Sequence, residues 1–73
     1  MDTLQTEKLN MWKKKLQKME VDYKELMIKR GEAMAMGDLR ENAAFQMLDD
    51  DAVTTRVRIE EVKKIITKIE EGK

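Results

Sequence analysis

The 73-residue sequence contains no cysteine, no histidine and no proline. Without cysteine there is no disulfide framework, no thiolate nucleophile and no thiolate metal site. Without histidine the commonest general base and the imidazole ligand are missing too, which leaves carboxylates as the plausible metal ligands. The absence of proline removes any forced break in a helix. Aromatic residues make up 4% of the chain, one each of Trp, Tyr and Phe, and a chain this short buries a modest fraction of its surface. A large enzyme pocket is therefore not expected. No apolar run approaches the roughly 18 residues of a membrane span, and Met1-Asp2-Thr3-Leu4-Gln5 lacks the basic and apolar regions of a secretory leader. A cytoplasmic protein without membrane contact is the expectation.

What is present is charge: 41% of the residues are charged, and mean hydropathy is -0.69. That composition suits a long helical element in water better than a compact globule. The formal net charge of zero conceals an uneven distribution. Residues 1–30 hold eight Lys/Arg against five acids, residues 31–52 hold Arg40 alone against six acids, and residues 53–73 hold six against four. Folded on itself, the chain becomes a rod with an acidic tip and a basic base. Most of these charges, taken singly, read as ordinary solvated faces.

Apolar periodicity supplies the fold. Leu9, Trp12, Leu16, Met19, Tyr23, Leu26, Arg30 and Ala33 alternate spacings of three and four, a heptad seam with one charged exception. Phe45, Leu48, Ala52, Thr55, Ile59, Val62, Ile66 and Ile69 form a second seam. The two are mirror images: Leu9 with Ile69, Trp12 with Ile66, and so on to Ala33 with Phe45, all share a midpoint at Leu39. Each pair sets an a position against a d position, the layering that an antiparallel helical hairpin requires. The expected fold is thus an all-α antiparallel coiled-coil hairpin filling one domain, helix one over about 7–36 and helix two over about 39–70, with the tip at 37–41 and residues 1–6 frayed. Large layers near the base, Trp12 with Ile66 and Leu16 with Val62, should hold more firmly than Leu26 with Ala52 or Arg30 with Leu48. Gly31, inside helix one, weakens the distal third further.

Between the seams lies Gly37-Asp38-Leu39-Arg40-Glu41-Asn42-Ala43-Ala44-Phe45. Gly37 is placed to close one helix through a positive φ. Asp38 and Glu41 have the spacing of a capping box at the start of the next. Spacing alone favours that capping role, and two carboxylates are in any case an incomplete ligand set for Mg²⁺, which takes six oxygens.

The same stretch, Gly-Asp-Leu-Arg-Glu-Asn-Ala-x-Phe, resembles the hairpin-tip signature of the N-terminal coiled-coil domain of the Gre-type bacterial transcript-cleavage factors. The similarity runs without gaps to about residue 62 and is looser before residue 31. It implies a transcription elongation factor that binds bacterial RNA polymerase, inserts its tip into the secondary channel and has no enzymatic activity of its own. Asp38 and Glu41 would be lent to the polymerase active site, helping to hold its catalytic Mg²⁺ only in the complex, with Gly37, Leu39, Arg40, Asn42 and Phe45 supporting the tip. The chain would need no cofactor of its own and would meet nucleic acid only through the RNA 3′ end. Three departures stand out: Phe45 replaces the usual Tyr, Gly31 and Met34 replace the usual Ala and Arg, and the chain ends at Gly72-Lys73 where the family continues into a C-terminal globular domain. A piece of a longer protein, a short relative anchored differently, and a channel competitor that does not stimulate cleavage all fit.

Val21, Ile28, Val53 and Val57 fall off the seams and should point outward, as scattered surface residues or as a docking or self-association surface. A structural adaptor that self-associates through them is the alternative function. Asp49-Asp50-Asp51 and Lys13-Lys14-Lys15 are not sites on this reading, because successive helical residues diverge by about 100°.

Overall fold

The computed structural model describes residues 2–37 and 43–72. Helix α1 spans Thr3–Ala35 and helix α2 spans Ala43–Glu70. They pack side by side and antiparallel. Lys13, near the start of α1, lies 3.7 Å from Glu70 at the end of α2, while Arg30, near the end of α1, meets Asp49 near the start of α2. The fold is the all-α coiled-coil hairpin that the mirrored seams require. It is a rod of 54 × 16 × 12 Å with a radius of gyration of 16.5 Å, against the roughly 11 Å expected of a globule of this length.

All sixteen seam residues are buried or half-buried. Outside the seams, only Gln5, Asp49 and Ile65 among the described residues are similarly covered. Leu9, Val62 and Ile66 form the core cluster, with Trp12, Leu16, Met19 and Ile69 packed against it. The firm layers thus sit at the base of the rod. Among the described residues no side chain is wholly enclosed, as befits two helices that can cover each other on one stripe only.

Helix α1 begins earlier than its sequence suggests, at Thr3 rather than at about residue 7. The polar residues at this end are not frayed, because Asp2 and Gln5 form the cap. The amide of Gln5 donates to Asp2 Oδ1 at 2.7 Å, and the Asp2 amide donates back to Gln5 Oε1 at 3.4 Å. Thr6 adds backbone and hydroxyl hydrogen bonds to the Asp2 carbonyl, both at 3.0 Å. At the other end, Met36 donates to the Ala33 carbonyl at 3.2 Å and Gly37 follows with φ +144. Gly72, at φ +73, ends α2 by donating to the carbonyl of Ile69 at 3.0 Å. The expected start of helix two at residue 39 lies outside the described residues.

Candidate functional site: the hairpin tip and its collar

Of the expected tip residues, Asp38, Leu39, Arg40, Glu41 and Asn42 lie outside the described residues. Gly37 and Phe45 border them. Gly37 adopts a positive φ that an L side chain rarely takes, and a Cβ there would meet nothing within 4 Å. The requirement for glycine is therefore conformational, not steric. Phe45 is half-buried in the first turn of α2.

Below the tip the two helices are joined by a collar centred on Arg30. The seam there asks for an apolar residue, and Arg30 meets the demand with different atoms. Its Nε donates to Asp49 Oδ1 at 2.7 Å, and its guanidinium carbon sits 5.0 Å from the centre of the Phe45 ring. Arg30 is half-buried at its seam position with its guanidinium engaged, as a long cationic side chain with an apolar stem can be at an apolar margin. Asp49 is consequently half-buried and committed to Arg30, which corrects the reading of Asp49-Asp50-Asp51 as three solvated acids; Asp50 and Asp51 remain exposed. No group of three acids among the described residues could hold a metal ion. Ala33 is buried beside this collar, whereas Met34, Met36 and Met47 are exposed around it.

Val21, Ile28, Val53 and Val57 are each about half exposed. The heptad places Val21 and Ile28 at the outermost position of α1 and Val57 at the outermost position of α2. They form strips on opposite sides of the rod. Val53 instead borders a shallow groove with Tyr23, Met27 and Arg56.

The sequence reading missed two features: the Arg30–Asp49–Phe45 collar, and a groove near the base bordered by Trp12, Lys15 and Arg58. The signal for the first was the lone charge in an apolar seam. The signal for the second was the pairing of like charges along one flank of the mirrored register. Among the described residues no helix is long and apolar enough to cross a membrane. Comparison of the chain with protein-family models, with curated proteins and with solved structures finds no match in any of the three.

Proposed function

We propose that this chain is a Gre-like factor that binds bacterial RNA polymerase through the secondary channel and modulates transcript cleavage and elongation from within it, a role that places it in the cytoplasm. The observation that carries the proposal is the tip segment from Gly37 to Phe45. Its support is twofold. The rod is narrow, 16 × 12 Å across and 54 Å long, an elongated shape that can present one end at a distance from the other. At the end of the rod from which that segment continues, α1 and α2 are joined by the Arg30–Asp49 hydrogen bond and the contact of Arg30 with Phe45.

Asp38 and Glu41 supply two carboxylates, an incomplete set that suits ligands lent to a shared cation better than a resident metal site. A Mg²⁺ completed by polymerase carboxylates and RNA phosphate would stabilise the charge of an in-line displacement by water. The chain's own task is then to deliver the acids at a fixed depth and orientation. On this reading the chain acts through the active site of the polymerase and contributes no catalytic centre of its own.

Because the chain lacks cysteine, a single Met36→Cys variant carries a thiol-reactive crosslinker at one site beside the tip. It should crosslink to the polymerase subunit that lines the channel, and an intact Gre factor should compete the crosslink away. Absence of the crosslink, or indifference to the competitor, would refute the channel as the target. The half-exposed Val21, Ile28 and Val57 favour a second reading, an adaptor that self-associates into a four-helix bundle. Sedimentation decides it: a tight dimer broken by Val57→Lys supports the adaptor, and a monomer removes it.

A further inference from the structure

The two flanks of the rod differ in their charge logic. On one flank opposite charges meet: Lys13 pairs with Glu70 at 3.7 Å and Arg30 with Asp49 at 2.7 Å across the helices, and Lys63 pairs with Glu60 at 3.7 Å within α2. On the opposite flank, at the base, Lys15 and Arg58 border the same groove. Like charges there cannot satisfy one another.

The groove between them has a volume of about 420 Å³. Its floor is apolar, built from Trp12, Met19, Val62 and Ile65. Ile65 lies off the seam yet is half-buried, and Trp12 is half-exposed with Lys15 Nζ 5.2 Å from its ring centre. Glu61 is the one acid on the rim, so the border of Lys15, Arg58 and Glu61 carries a net positive charge.

We propose that this groove docks an acidic amphipathic peptide segment of a partner protein. One or two large apolar side chains of the segment seat on Trp12, Met19, Val62 and Ile65, and flanking carboxylates pair with Lys15 and Arg58. The charge complementarity selects the occupant. A nucleic acid strand needs a longer cationic track and stacking platforms, whereas this site offers two cations around a single aromatic ring. A second copy of the chain is a poor occupant, because in its acidic stretch Leu48 is half-buried in its own seam and Asp49 is held by Arg30. The inference goes beyond the tip reading and does not depend on it.

Trp12 is the only tryptophan and lies in the groove, so its fluorescence reports occupancy directly. The probe is a capped twelve-residue peptide with a central Leu-Leu pair flanked by Glu. Titration should give a saturable blue shift that weakens at least tenfold in the Lys15→Glu/Arg58→Glu variant. Lys13→Glu, on the other flank, and Asp38→Asn/Glu41→Gln, at the tip, should stay within twofold of the parent. Helicity of every variant is checked by circular dichroism, and Lys15→Gln/Arg58→Gln replaces the double reversal if that variant unfolds, with a smaller loss expected. The proposal is overturned by the absence of a saturable shift, or by equal binding of the Glu→Lys peptide or of a peptide with Ser in place of the Leu pair. Undiminished binding by the groove variant, or tighter binding of an oligothymidylate of equal charge, would overturn it as well. A peptide-free dimer that the groove variant dissociates would assign the groove to a second copy instead.

Discussion

Arg30 and Asp49 should be energetically coupled, and the size of the coupling follows from their setting. The Nε–Oδ1 distance of 2.7 Å is that of a charge-assisted hydrogen bond. The side chains retain 28% and 42% of their exposure, so solvent screens the pair and its worth falls between an exposed ion pair and a buried one. A coupling of about 1 kcal/mol is expected. Arg30→Met keeps the stem in the seam and removes the charge; Asp49→Asn keeps the shape and removes the partner. Urea unfolding followed by circular dichroism, on both single variants and the double variant, isolates the coupling as the non-additive part. For a chain of this size the coupling corresponds to roughly 4–8 °C in Tm. It should shrink in 1 M NaCl, although less than that of the more exposed Lys13–Glu70 pair. Strict additivity, within about 0.3 kcal/mol, would refute the collar as a bond between the helices.

Other substitutions probe the rest of the rod. Gly31→Ala should stabilise by about 0.5–1 kcal/mol, since the added methyl meets nothing within 4 Å inside a regular helix. Gly37→Ala should destabilise by at least about 1 kcal/mol because φ is +144 there, and opposite signs in the same unfolding assay check both. Ile66→Ala, in the core cluster, should cost about 2–3 kcal/mol. The half-buried Leu26, opposite the small Ala52, should cost visibly less when cut to Ala; equal losses would contradict a rod held mainly at its base.

The fold was legible because two independent regularities agree. The three-four spacing names the buried stripe of each helix, and the shared midpoint of the two stripes names their antiparallel register. Every residue so chosen is covered, from Leu9 at the base to Phe45 at the collar. What escaped the pattern did so for identifiable reasons. Asp2, Gln5 and Thr6 read as a frayed end because they are polar, yet polar side chains are what satisfy the free amides of a first turn. Arg30 read as a flaw in the seam because a binary pattern sees only the charged end of a side chain whose stem is apolar. The basal groove depends on which charges share a flank, something visible only once the register is applied to the off-seam residues Lys15 and Arg58. The tip was legible as a motif, and its functional reading still rests on the resemblance of Gly37 through Phe45.

The decisive measurement is cleavage of the RNA 3′ end in backtracked bacterial elongation complexes, with the parent chain and the Asp38→Asn/Glu41→Gln variant side by side. Acids lent to the polymerase predict that the parent stimulates cleavage, whereas suppression of an added Gre factor without stimulation would mark a channel competitor instead. The double variant should lose any stimulation. No effect of the parent in either setting, or stimulation that survives loss of both carboxylates, would contradict the proposed role of the tip.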